Sequence, residues 1–157
     1  MRVMILMVVW VLAAAPAWAG SQEACIGMVH GAKLGASFGE MLFQTGTQTK
    51  TYSMLANRVG NERAESMFRA EMPAVVARYQ AEWNGNLARA WGQLLSDAEC
   101  RSLAELGGKS PYRQRFETYT PAAAEAMRTT SGPLLQRAVS DALYSAFVKA
   151  MAPPPVR

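Results

Sequence analysis

Histidine occurs once in these 157 residues and cysteine twice, so chemistry that depends on imidazoles or thiolates has few places to reside. Neither C-x-x-C nor H-E-x-x-H is present, and a metal site needs several convergent ligands; no metal and no cofactor is expected. The lone histidine, His30, follows Cys25 by five residues, about 140° around a helix, which keeps the two from acting as a nucleophile–base pair. His30 is assigned to the surface, and Glu99 and Glu105 to capping and solvation. No residue is assigned as catalytic, and the chain is read as a non-enzyme. Blocks of like charge are also missing. The 16 basic and 12 acidic side chains give a net charge of +4 spread along the chain, which does not mark a nucleic-acid binder. No segment alternates apolar and polar residues at the period of a strand. The apolar run Val3 to Ala15 is shorter than the roughly 20 residues that span a membrane.

What is present begins with an export signal. Arg2 supplies the positive start, Val3 to Ala15 the apolar stretch, and Ala17-Trp18-Ala19 the small-x-small cleavage site before Gly20. The expected organisation is a cleaved signal peptide at 1–19, a helical domain at 20–152 and a disordered tail at 153–157, in the periplasm. Without Arg2 the balance is 15 basic against 12 acidic side chains, a net charge of +3. Cys25 and Cys100 are an even pair, and an oxidising compartment favours their disulfide over two buried thiols.

The clearest local grammar lies at Leu95 to Phe116. Ser96 and Glu99 form an S-x-x-E capping box, Asp97 adds negative charge to the first turn, and Gly107-Gly108 supplies a left-handed stop. Ser110-Pro111 restarts a helix with Ser as N-cap and Pro at the first helical position. Thr120-Pro121 repeats the device, and Gly132-Pro133 opens the last helix, which ends near Met151. Through Leu95-Ser96-Asp97-Ala98-Glu99-Cys100, Ser110-Pro111, and Pro121 with Ala126-Met127, the chain resembles a family of small bacterial exported all-helical domains of unknown function, over about residues 83–143. The resemblance implies an exported helical domain and carries no activity with it.

Elsewhere the periodicity is helical throughout. One helix is expected from Glu23 to Phe43, a polar turn at Gln44 to Thr49, a short helix from Tyr52 to Val59, and a long helix from Asn61 towards Leu95, with Pro73 as a kink or a new start. Asn84-Gly85-Asn86 is a turn signal inside a pattern that favours continuity. The fold class is therefore all-α, a single compact bundle of about six helices joined by short turns punctuated by Gly and Pro. Two small-residue stripes stand out. Gly27, Gly31, Gly35 and Gly39 recur every four residues in the first helix, and Ala138, Ala142, Ala146 and Ala150 in the last. Four interior glycines cost roughly 1 kcal/mol each, which close packing has to offset. Ridges of spacing four pack together, so the two stripes are expected to face each other; a self-association face is the alternative for the glycines.

Two further features carry functional expectations. Tyr112, Arg113, Arg115 and Tyr119 form a basic-aromatic group suited to an acidic partner, with solvated side chains as the plainer use. Tyr79, Trp83 and Trp91 recur at helical spacing; such a stripe builds core, with a ligand groove as the other use. The function expected is a protein-binding module of the periplasm, inhibitor-, immunity- or chaperone-like. Its partner is another protein, neither nucleic acid nor a membrane that the mature chain inserts into. The alternative is an envelope-associated structural protein that self-associates through the glycine stripe.

Overall fold

Two long helices run side by side through the molecule, and the rest of the chain packs on them. The computed structural model describes residues 18–152; the signal peptide (but for its last two residues) and the 153–157 tail expected from the sequence lie outside the described residues. Six α-helices and no strands occur among the described residues: α1 (Trp18–Gly31), α2 (Phe38–Thr47), α3 (Lys50–Val59), α4 (Asn61–Gly92), α5 (Asp97–Leu106) and α6 (Arg113–Met151). Two 3-10 turns, Leu34–Ser37 and Gly107–Lys109, lie before α2 and before α6. The fold is all-α, as its periodicity requires. Helices α4 and α6 have 32 and 39 residues, about 48 and 58 Å of helix. They are antiparallel: Glu71 pairs with Lys149, Arg78 with Asp141, Glu82 with Arg137, and Asn86 with Ser131, the second number falling as the first rises. The ion pairs are largely exposed on at least one side, where such pairs contribute little each; they fix register more than stability.

Apolar burial does the larger share. The main core joins α2, α4 and α6 through Phe38, Leu42, Phe68, Val75, Trp83, Met127, Leu134 and Leu143. A second core surrounds the disulfide, with Cys25, Met28 and Val29 of α1 against Ala88 and Trp91 of α4 and Cys100 and Leu103 of α5. A small third cluster, Leu55, Ala56, Ala64 and Ala146, closes the α3–α4 corner on the end of α6. The Cys25–Cys100 bond is formed, with Cα atoms 5.0 Å apart, and ties α1 to α5.

Local signals place several ends as expected. Ser96 Oγ accepts from the Glu99 N–H at 3.4 Å, and the Glu99 carboxylate accepts from the Ser96 N–H at 2.7 Å. Gly107, at φ 52°, ends α5, and Gly60, at φ 88°, makes the α3–α4 corner. Helix α4 runs unbroken through Pro73 and through Asn84-Gly85-Asn86.

Four expectations are corrected. Ser110 and Pro111 do not cap and open α6, which begins at Arg113 after Tyr112. The first helix is not continuous from Glu23 to Phe43: it breaks after Gly31, where Lys33 adopts a left-handed conformation at φ 52°. A straight helix could not put Cys25, Met28 and Val29 into one core and Phe38 and Leu42 into another, and burying both sets outweighs the roughly 1–2 kcal/mol of a left-handed lysine. The polar turn at Gln44 to Thr49 shrinks to Gln48 and Thr49, because α2 continues through Gly46 to Thr47 and packs its backbone against Phe68. Pro121 and Pro133 start no helices; both lie within α6. Each is exposed, on the outer side where helix carbonyls turn to water. Below them Ala123, Met127, Leu134 and Ala138 form one unbroken buried face that holds the helix together.

The two stripes do not meet. A Cβ at Gly27 would touch nothing, at Gly31 the Ala104 carbonyl of α5 at 3.5 Å, at Gly35 the Asn84 side chain of α4, and at Gly39 Val76 of α4 at 3.7 Å. Ala138, Ala142 and Ala146 are fully buried, but against the cores shared with α2, α3 and α4. The break at Lys33 is the physical reason. It rotates Gly35 and Gly39 away from Gly27 and Gly31 and leaves only α2, the second half of the expected helix, beside α6.

Candidate binding groove

Small side chains on facing elements leave space that larger ones would fill. On α6, Thr120, Ala123, Ala124, Ser131 and Gly132 follow one side of the helix; across from them lies the 3-10 turn Leu34–Ser37, itself Leu-Gly-Ala-Ser. Between them opens a cleft of about 650 Å³, walled on its third side by Trp83, Leu87 and Trp91 of α4. Phe116, Met127 and Leu135 of α6, with Leu34 and Met41, complete an almost wholly carbon surface. The volume falls within the roughly 300–1,000 Å³ of small-ligand sites.

The walls are braced. Trp83 stacks on Phe38 with ring centroids 4.8 Å apart, and Trp91 stacks on Phe116 at 4.3 Å. Such aromatic pairs contribute about 0.5–1.5 kcal/mol beyond burial. Ser131, buried at the bottom, accepts from Asn86 Nδ2 at 3.1 Å and donates to Met127 Sδ, so this hydroxyl is already satisfied. Trp83 and Trp91 thus serve both uses of their stripe, core on one side and groove on the other. Tyr79 leaves the stripe and donates its hydroxyl to Asp141 at 2.9 Å.

On the other side of Leu34 and Phe116, which line both spaces, a second cleft of about 200 Å³ lies between α1, α5 and the start of α6, bordered by Met28, Leu103, Gly107 and Arg113. The two together follow α6 from Arg113 to Leu135. The only charged side chain lining the larger cleft among the described residues is Arg128, at its mouth.

No family model matches the chain, and neither a curated protein nor a solved structure does.

The basic-aromatic group takes a different form from a free cationic patch. Arg113 pairs with Glu117 at 2.7 Å, and Arg115 pairs with Glu99 at 3.2 Å while lying over the Tyr119 ring at 5.3 Å. Tyr112 gives its backbone N–H to Ser110 Oγ at 3.2 Å. Both guanidinium groups are engaged within the chain. His30 is exposed, and among the described residues no three His, Cys, Asp or Glu side chains are grouped to hold a metal. Of the Tyr79, Trp83 and Trp91 stripe, offered by the sequence as core or as a groove wall, Trp83 and Trp91 line the cleft and Tyr79 does not; the facing wall has no signal in the sequence.

Glu99 couples the capping box to pH. Burial alone would push its carboxyl up, but the hydrogen bonds from Ser96 N–H and Oγ–H, with Arg115 beside it, outweigh burial and hold it below the usual carboxylate range. A depressed folded-state pKa means that the unfolded chain binds the proton more tightly. The stability is therefore present above the unfolded carboxylate range and is lost as pH falls through the folded value. Glu99→Gln is expected to cost about 1 kcal/mol at neutral pH. The gap to wild type should narrow on acidification below the ordinary carboxylate range, measured as melting temperature against pH. A gap that stays constant with pH would show that the charge of Glu99 contributes nothing.

Proposed function

We propose that the chain is an exported, non-enzymatic binding module whose working surface is the groove between α2, α4 and α6. The observation that carries this reading is the groove's composition: a cleft of about 650 Å³ bounded by three aromatic rings and aliphatic side chains, with a single guanidinium at its mouth. Such a surface gains by excluding water from an apolar partner, and its lining offers no acid–base pair. The leader-like N-terminus and the Cys25–Cys100 disulfide support an oxidising compartment, as does the resemblance to exported helical domains. The contact through Tyr112, Arg113, Arg115 and Tyr119 expected for an inhibitor- or immunity-type protein has less support, because both arginines are already paired.

The test is binding of an environment-sensitive apolar dye, an anilinonaphthalene sulfonate, read by energy transfer from tryptophan. Trp83 and Trp91 both line the groove, so a dye lodged there quenches them directly. Ala124→Phe plugs the mouth from an exposed helical position without touching the core. The wild type should bind at one site, and Ala124→Phe should bind at least tenfold more weakly with an unchanged melting temperature. Equal binding by the plugged variant, or none by the wild type, would remove the groove from consideration.

A further inference from the structure

We infer that the groove's ligand is a single-chain amphiphile with an anionic oxygen head, a free long-chain carboxylate; this rests on the reading of the groove as the working surface. Shape decides the tail. The larger and the smaller cleft abut at Leu34 and Phe116, which line both, so the apolar lining is drawn out along α6 rather than gathered in one chamber. It follows α6 from Arg113 to Leu135, about 33 Å of helix. A compact polycyclic molecule would fill one cleft and leave the other empty. A flexible methylene chain can occupy both and turn at the Phe116 ring.

Chemistry decides the head. The hydroxyls of the lining offer little to a ligand at depth, since Ser131 is bonded to Asn86 and Met127, and Thr120 Oγ1 donates to the Phe116 carbonyl at 2.9 Å. The Trp83 indole N–H, buried without a partner, and the exposed Ser37 hydroxyl are uncharged; among the described lining residues the one charge is that of Arg128. Arg128 gives Nε and Nη2 to Glu125 at 2.7–3.0 Å, and its Nη1 makes no hydrogen bond to the described residues. The guanidinium is fixed by Glu125 with one edge unoccupied, at the rim of an apolar trough. A carboxylate at the rim would take that edge and remain in contact with water, while its tail follows the carbon-lined floor. A cationic head would meet the guanidinium unfavourably, and a neutral head would gain little from it. At the far end Arg113 borders only the smaller cleft, so a single-headed ligand seated at Arg128 leaves it to Glu117.

The experiment titrates the full-length protein with hexadecanoate, hexadecan-1-ol and octanoate below their aggregation limits. The readouts are tryptophan fluorescence and displacement of the anilinonaphthalene dye. Hexadecanoate should bind at least tenfold tighter than octanoate, because the shorter tail does not reach the second cleft. It should also bind at least fivefold tighter than the alcohol of equal length. Arg128→Gln should abolish the preference for the carboxylate while leaving the alcohol unchanged, and Ala124→Phe should weaken both. Equal affinity for acid and alcohol, or an unaltered acid preference in Arg128→Gln, would overturn the assignment of the head. Octanoate binding as tightly as hexadecanoate would overturn that of the tail. If dye binds in the groove but none of the amphiphiles displaces it, the ligand class is wrong and the groove reading stands. If neither dye nor amphiphile binds, both fail. Displacement by phosphatidylglycerol vesicles or by an amphipathic helical peptide, with hexadecanoate inert, would assign the groove to a membrane or a protein and overturn the proposal.

Discussion

Replacing both Cys25 and Cys100 by alanine is expected to remove up to about 4.5 kcal/mol of stability, the chain-entropy value for a closed loop of this length. The bond spans 75 residues, so in its absence the unfolded chain regains a large set of conformations. Among the described side chains of α1, Cys25, Met28 and Val29 are buried and pack on α4 and α5, while the left-handed Lys33 uncouples α1 from α2. Both half-cystines are fully buried, so the alanines also leave small voids. For a domain of this size the loss corresponds to a fall of roughly 10–15 °C in melting temperature. Wild type treated with a thiol reductant should melt near the double variant. Denaturant titration of the two, with unchanged slope, is the measurement. A double variant within a few tenths of a kcal/mol of wild type would mean that α1 is held by packing alone. The functional corollary follows from Met28 and Leu34, which line the second cleft: losing the tether should loosen that end of the groove first.

What the sequence made legible was what local chemistry decides. Ser96, Glu99 and Gly107 bound α5 because a capping box and a left-handed glycine act within a few residues. The same is true of Gly60 between α3 and α4. The helical period was strong enough to carry α4 through Asn84-Gly85-Asn86. The cysteine pairing followed from an even count in an export context. The misses were decided at long range. Lys33 itself announces no break, and Gly31 and Gly35 beside it are only two of four evenly spaced glycines; the break exists because two separate cores claim the residues on either side. Pro121 and Pro133 look like starts, but the buried face from Ala123 to Ala138 continues beneath them, and tertiary burial overrides a local breaker. The groove was hidden for the same reason. It is the space left where small residues of α6 and of Leu34–Ser37 meet, and no window of one helix contains both walls. Trp83 and Trp91 could be placed on one face, but what lay opposite could not.

Adding a single methyl group at Gly46 or Gly35 is expected to destabilise the protein by about 1–3 kcal/mol or more through overpacking, while the same methyl at Gly27 stabilises it. At Gly46 a Cβ would lie 2.3 Å from Cζ of Phe68. That ring is fully buried, stacked on Phe43 and edge-on to Tyr52 at 5.9 Å each, and has nowhere to retreat. At Gly35 the Cβ would lie 1.9 Å from Asn84 Oδ1. Asn84 is buried and accepts from Gln80 Nε2 at 2.8 Å, and the same nitrogen donates to the Gly35 carbonyl at 3.0 Å. Gly35→Ala therefore collides with a buried amide and strips its hydrogen bond, which adds the cost of an unsatisfied group, about 1–3 kcal/mol. Gly27 belongs to the same sequence stripe but is exposed in α1 with nothing within 4 Å, so Gly27→Ala should gain up to about 1 kcal/mol from helix propensity. Thermal and urea unfolding of the three variants separates two causes for one pattern. If the spacing of four were itself the packing device, Gly27 and Gly35 would respond alike. If each glycine answers to what lies opposite its own Cα, their signs differ. A Gly35→Ala variant as stable as wild type would place the Leu34–Ser37 turn away from α4, and the wall of the groove with it.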